Sequence, residues 1–189
     1  AITRMLAQDE IDQSVFWKII KPTLRQVENE QGVIAVDDTI ELKPYSEENE
    51  LISWHYSHTE GTIVKGINIL TFTYSTTYQQ QAVKLPIAFE LVRKDQWVEK
   101  STKQEGKFIT RRVRQASVSK IEMLRRRLHT LVFDNQICFK YVTFDTWYAD
   151  SELISHIVTR FNKHCVCALK ANRLLSFDRD VAPKQRAYV

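Results

Sequence analysis

The chain has 189 residues, of which 43% are hydrophobic and 26% charged, and carries a formal net charge of +4. This suffices for one domain, or one with a small addition, around a sizeable core. It excludes a membrane span, which needs ~18 consecutive apolar residues, and the odd set Cys138, Cys165 and Cys167 argues against a disulfide framework and suits a reducing cytosol.

No signal-peptide pattern opens the chain, and its first residue is Ala1. The expectation is a processed or truncated product located in the cytoplasm. Residues 1–31 form the first predicted unit, a helical N-terminal segment. Its apolar residues recur at helical spacing, with a break at Pro22 and with Gly32 placed to end a second helix. The period then changes. GVIAVDDTIEL (32–42) reads as a short strand, and the polar stretch 41–61 reads as a long loop. Residues 61–77 and 82–94 read as an antiparallel hairpin. In its second strand Val83, Leu85, Ile87, Phe89 and Leu91 alternate with more polar neighbours. Pro86 places that strand at or near an edge, because it cannot donate to a ladder.

The next segment is basic. From Lys100 to Arg127 there are ten Lys or Arg against Glu105 and Glu122, a local +8 on a remainder of −4. Residues 95–116 are expected to be a loop, and a polyanion is the expected partner. A helix follows from about Ser119 to Phe133, with Ser119 and Glu122 at capping-box spacing. Then come the strand YVTFD, a helix from near Asp150, and a final strand CVCALKA (165–171). An antiparallel start followed by strand–helix–strand crossovers gives an α/β fold, a mixed sheet with helices on its faces. Ligands gather at strand ends in such sheets.

Asp145 sits at one strand end and the pair Asp37–Asp38 at another. A carboxylate buried without a partner is costly, so each has a structural partner or takes a cation. Successive strand residues face opposite ways, so only one of Asp37 and Asp38 can face a shared site if the strand is regular. Carboxylates on two strand ends suit Mg2+, a hard cation that wants oxygen ligands.

The stretches VIAVDDTIELKPYSEENELISWHYSHTEG, VKGINILTFTY, LPIAFELVRK, FDTWYADSELI and CALKANR, in that order, resemble insertion-sequence DDE transposases of the ribonuclease H-like, retroviral-integrase superfamily. The resemblance covers most of residues 30–175. It implies a ribonuclease H-like domain over residues 32–189, and it implies that Asp38 and Asp145 are catalytic metal ligands, with Asp37 as the alternate. It further implies Mg2+ or Mn2+ in a two-metal site of the complete enzyme, DNA (transposon ends and target) as partner, and room for a homodimer in the synaptic complex. Nucleoid association would follow from DNA binding. The family's third ligand is a glutamate on a downstream helix, and no matching block is present. The chain is therefore expected to be a catalytic-domain fragment that binds Mg2+ or Mn2+ weakly and does not cleave DNA. The alternative is an inactive remnant serving as a DNA-binding or interaction module. Lys107, Arg111, Arg112 and Arg114, read as exposed loop residues, and Lys170, Asn172 and Arg173, at the end of the last strand, are the expected phosphate contacts.

The remaining residues that invite a chemical role have plainer readings. His55 and His58 read as loop hydrogen-bonding groups rather than zinc ligands. Cys165 and Cys167 read as small hydrophobes on one strand face. Trp147 and Tyr148 read as packing residues, with base stacking as the lesser option. Arg125, Arg126 and Arg127 wrap around a helix, so at most two can face one ligand.

Overall fold

The computed structural model describes residues 12–104 and 107–170, together with two short paired strands, β9 (Leu174–Leu175) and β10 (Ala187–Tyr188). Helix α1 (Gln13–Val27) starts at Asp12, whose side chain accepts from the N–H groups of Ser14 and Val15 at 2.9 Å. It runs through Pro22 without a break, contrary to expectation. A proline inside a helix costs about 3 kcal/mol. Here Pro22 is exposed, so the carbonyl it leaves unpaired faces water, while Leu24 and Val27 are buried one turn on. Phe16 packs edge-on against Phe89, with ring centroids 5.6 Å apart, so the helix belongs to the same core as the sheet.

Gly32 does not end this helix; Glu28 caps it. The glycine is instead required by close packing, since a Cβ there would lie 2.1 Å from the Tyr74 hydroxyl oxygen. That hydroxyl accepts from the Asn29 N–H and donates to the Cys138 carbonyl, both at 2.9 Å. It pins the entry of the first strand to the entry of the seventh.

The sheet is built from β1 (Val33–Leu42), β2 (Ile52–Ser57), β3 (Thr62–Tyr78), β4 (Gln81–Leu91), β7 (Tyr141–Phe144) and β8 (His164–Cys167). Its order is β2-β3-β1-β7-β8, with β4 also on β3. The long β3 pairs with β1 along one edge and with β2 and then β4, end to end, along the other. β1–β7 and β7–β8 are parallel, and the other pairs are antiparallel. This is the expected ribonuclease H-like mixed sheet. β4 is an edge strand, as Pro86 requires. Its register shifts opposite Phe72/Thr73, which leaves Ile87 as a bulge beside the proline.

Register sets the core. Val36 lies opposite both Phe72 and Phe144, and Ile34 opposite both Tyr74 and Val142. All six are buried on one face, against Leu124 and Leu128 of α2 (Lys120–His129) and Leu153 and Ile157 of α3 (Ser151–Thr159). Replacing a fully buried leucine such as Leu128 by alanine would cost about 2–5 kcal/mol. The face that carries Val33, Ala35 and Thr143 is only partly covered.

Two expected loops are strands. Residues 41–61 contain β2, and residues 95–116 form an antiparallel ribbon, β5 (Gln96–Gln104) with β6 (Lys107–Gln115). Alternation hid β2, because its polar Ser53 and His55 are buried while Trp54 and Tyr56 face out. The ribbon lacks an apolar face altogether. It is held by its own ladder, by a Ser101–Thr110 hydroxyl pair at 2.8 Å and by Arg112 and Arg114 stacked on Trp97. Asp95 closes its neck by accepting from the Ser117 N–H and hydroxyl, at 2.8 and 2.6 Å. The strand predicted over 165–171, β8, ends at Cys167, short of Ala171.

Candidate active site at the β1–β7 seam

Val36 pairs with Phe144, so Asp37 and Asp145 follow the last rung of the parallel ladder side by side, and Asp38 lies one residue farther along β1. Both predicted acidic positions therefore lie on neighbouring strands, but only Asp145 ends its strand, because β1 continues past Asp37 and Asp38 to Leu42 along β3. Alternation continues the buried face of Ile34 and Val36 to Asp38, and the open face of Val33 and Ala35 to Asp37. Asp38 is half-buried, while Asp37 and Asp145 are exposed.

Asp38 is the most engaged of the three. Its Oδ1 accepts from the Tyr148 hydroxyl. Its Oδ2 accepts from Lys120 Nζ at 2.5 Å and from Asn68 Nδ2 at 2.9 Å. Burial works against its ionisation, but the bonds from Lys120, Tyr148 and Asn68 outweigh it and hold the carboxyl below its usual range. Tyr148 responds in the opposite sense. Burial raises its hydroxyl well above the ordinary value, and the hydrogen bond to Asp38 and the charges of Asp38, Asp37 and Asp145 add to that. All three carboxylates thus bear on one phenol. The Tyr148 hydroxyl stays protonated and donating at any working pH.

The sequence held signals for these three donors that periodicity did not expose. Lys120 is the first residue of α2, where the helix dipole disfavours a cation; its carboxylate partner explains the placement. Asn68 interrupts the buried row Gly66, Leu70, Phe72, Tyr74 of β3, and a polar residue in such a row implies a partner. Its Oδ1 is buried and finds no hydrogen bond among the described residues. Tyr148, expected as packing, does pack, being 3% exposed, but its hydroxyl also donates a hydrogen bond to Asp38.

The donor set fits a hard cation in kind. A carboxylate offers about four acceptor positions, and Asp38 uses three, leaving one on Oδ1. Asp37 spends Oδ1 on the Asp38 N–H at 2.8 Å, and Asp145 spends Oδ1 on the N–H and hydroxyl of Thr146 at 2.5 and 3.0 Å. Among the described residues nothing donates to the Oδ2 of either. No group of three or more His, Cys, Asp or Glu able to hold a metal is assembled among the described residues.

A cavity of about 300 Å³ opens beside Asp38, lined also by Tyr56, His58, Lys120, Trp147 and Tyr148. His58 stacks on Trp147 with centroids 4.5 Å apart, and Lys170 Nζ lies 3.8 Å from the same ring. Lys170 is therefore at the rim of this cavity. His55 is not a loop residue. It is 7% exposed on β2, and its Nε2 lies 3.1 Å from the Ser53 hydroxyl. Burial, with the positive charges of Lys94 and Lys120, lowers its pKa to about 4, so it is neutral at pH 7.

Arg111 and Arg112 are exposed on β6 as expected. Arg114 is not. Its side chain is 18% exposed, 3.8 Å from Glu48 and 3.3 Å from the Lys94 carbonyl, and stacks on Trp97. It anchors the ribbon. The Lys107 side chain, Asn172 and Arg173 lie outside the described residues. Arg125 and Arg126 pair with Glu122, and Arg127 pairs with Glu90, so the helix arginines are spent within the fold.

A family model described as DDE superfamily endonuclease matches residues 1–188. No curated protein and no solved structure matches the chain. The chain belongs to the DDE superfamily endonuclease family. Among the described residues no helix is long and apolar enough to cross a membrane.

Proposed function

We propose that this member of the DDE superfamily endonucleases is a divalent-metal-dependent DNA transposase, with Asp38 and Asp145 holding the cation and Asp37 as the alternate to Asp38. The observation that carries this reading is the parallel β1–β7 seam, which brings the Asp37–Asp38 pair, midway along β1, beside Asp145 at the end of β7. A bound Mg2+ or Mn2+ would supply an activated nucleophile and neutralise charge on the phosphate. The chain's own residues do the positioning. Tyr148, Lys120 and Asn68 fix Asp38 in its ionised form. Arg111 and Arg112 on the ribbon, and Lys170 at the cavity rim, supply phosphate contacts that carry affinity rather than sequence preference. Strand transfer and a homodimer on paired transposon ends belong to the same reading.

A second reading, a DNA-binding module without catalysis, is favoured by one observation: no third acidic ligand joins the seam among the described residues. Two measurements separate the readings. Mn2+ binding followed by electron paramagnetic resonance should be strong enough to detect in the parent and lost in Asp145→Ala. Equal binding by both would remove the seam as a metal site. Plasmid nicking in Mn2+ by the parent, absent in Asp145→Ala, would select the catalytic reading and point to Glu152, exposed at the start of α3, as the first residue to test as third ligand. Metal binding without nicking fits a catalytic domain short of its third ligand, whereas DNA binding with neither metal binding nor nicking selects the binding module. Asp37→Asn and Asp38→Asn, measured in parallel, assign the ligand on β1.

A further inference from the structure

Tyr56 lines three cavities that run on from one another: the one beside Asp38, a second of about 620 Å³ that shares Lys120, and a third of about 640 Å³ that shares His55 and Lys94 with the second. Together they make a trough from Asp38, across β2, to the β5–β6 ribbon. Its two walls differ. β2 presents Trp54, 51% exposed, and Tyr56, 55% exposed, on its outer face. The ribbon presents Lys100, Arg111 and Arg112, all exposed and in no ion pair among the described residues. Of the acids at this end, Glu48 is paired with Arg114, and Glu99 lies directly across the ribbon from Arg112 without an ion pair among the described residues.

We propose that the outer cavity binds single-stranded DNA, with bases stacked on Trp54 and Tyr56 and phosphates against Lys100, Arg111 and Arg112, so that an unpaired strand is led along the trough toward Asp38. Two large aromatic rings left half in water on one strand face are poor folding choices, since each forgoes part of the stabilisation that burial would give. They make sense as surfaces for a flat ligand. Unpaired bases offer flat faces, whereas a duplex shows proteins only base edges. Spacing agrees. Residues two apart on a strand are about 6.7 Å apart, near twice the 3.4 Å rise of stacked bases. Trp97 lines the same cavity but is covered by Arg112 and Arg114, and Trp147 is engaged by His58 and Lys170. Trp54 and Tyr56 also have neighbours, with Lys65 Nζ 5.7 Å from the Trp54 ring and His58 edge-on to Tyr56 at 4.9 Å, but they stand on one face of one strand with more than half of each residue exposed, and that face is the surface offered to bases. The opposed cationic wall supplies the charge a polyanionic backbone needs, at a distance set by the neck bonds of Asp95 and Arg114.

This inference rests on the proposed site only for the direction in which the strand is led. Its test is therefore run in EDTA, where metal binding at the seam plays no part. Fluorescence anisotropy would compare labelled oligo-thymidine, a blunt duplex, and the same duplex with an unpaired tail. Oligo-thymidine and the tailed duplex should bind more tightly than the blunt one. Trp54→Ala and Tyr56→Ala should each weaken binding to those two by roughly 5- to 100-fold and leave the blunt duplex unchanged, while Trp54→Phe retains most of the affinity. Equal losses on all three DNAs, no loss on any, or a parent that holds the blunt duplex as tightly as the single strand would overturn the proposal. Such a result would leave the Mn2+ experiments on Asp145 standing, and failure of those would leave the stacking measurement standing.

Discussion

At the β1–β7 seam one carboxylate, Asp38, is held by donors from three separate elements: Asn68 on β3, Lys120 on α2 and Tyr148 on the turn after β7. On the β5–β6 ribbon, Arg111 and Arg112 are placed by a two-stranded ladder, with Arg112 over Trp97 and across from Glu99, and neither makes an ion pair among the described residues. The first arrangement holds the carboxylate from three directions, two of them by buried donors, Asn68 and Tyr148. The second offers charge without fixing it. Metal chemistry needs the former, and holding a polyanion needs only the latter. The two regions should therefore respond to substitution in different measurements, and the predictions below test that division.

The largest effect is expected at Asp38. Asp38→Asn should lower Mn2+ affinity by more than the 10–100-fold typical of residues that only support a ligand. DNA affinity in EDTA should not fall. A variant that loses DNA affinity in EDTA while keeping Mn2+ would reverse the roles assigned to the two regions.

The next effect concerns pH. His55 is buried behind the seam on β2 and faces Ser53 on its own strand, Lys94, Lys120 and Asp38. Its folded pKa, about 4, lies below the ordinary 6.5. The unfolded chain thus binds the extra proton between those values, so folding stability falls as pH drops from 6.5 toward 4. The loss integrates to about 3 kcal/mol. Chemical denaturation at pH 7 and pH 4 should show this loss in the parent, and His55→Gln should remove most of it. Asp38 adds to the acid loss at lower pH. Its depressed pKa contributes stability that is present above the unfolded carboxylate value and vanishes as pH falls through the folded one.

A smaller effect is expected at Tyr148. Tyr148→Phe keeps the buried ring and removes the donor to Asp38 Oδ1. A hydrogen bond to a charged group is worth about 1.5–3 kcal/mol, so stability should fall by that order. Without the donor the Asp38 carboxyl titrates at higher pH, so the acid limb of Mn2+ binding should move upward. An unmoved limb would mean that Tyr148 only packs.

How much of this could be read from the sequence follows the physics of each element. β1, β3, β4, α2, α3 and β7 each bury a face at a regular period, and period is what a sequence displays. Asp38 and Asp145 were legible because each follows an apolar run, although β1 continues past Asp38 to Leu42. β2 was not, because it inverts the rule: Ser53 and His55 face in, and Trp54 and Tyr56 face out. The ribbon was not, because cross-strand pairing and stacking on Trp97 leave no hydrophobic alternation. Pro22 was read as a break, because the sequence does not show that its freed carbonyl would face water. The donors to Asp38 come from positions 30, 82 and 110 residues away, a convergence that only tertiary packing creates. Arg114 shows the same limit from the other side. Its neighbours in sequence are exposed cations, yet Glu48 and Trp97 draw it into the fold.

The last prediction tests the ribbon by itself. If Arg111 and Arg112 each contact one phosphate, replacing both with alanine removes two counterion-releasing contacts. The plot of log K against log salt should then flatten by about 1.4 on a single strand and about 1.8 on a duplex, at about 0.7 and 0.9 per contact. At low salt the affinity loss should be modest, because Lys100 and Lys170 remain. Mn2+ affinity should not change, since neither arginine is bonded to Asp38 or Asp145. Arg114→Ala is the informative contrast. Its guanidinium bonds the Lys94 carbonyl and stacks on Trp97, so its loss should loosen the ribbon and lower stability more than it changes the salt slope. Identical salt slopes for the parent and the double variant would mean that the exposed arginines touch no phosphate. The charge on the ribbon would then serve solubility, and the division of labour between seam and ribbon would fail on the ribbon's side.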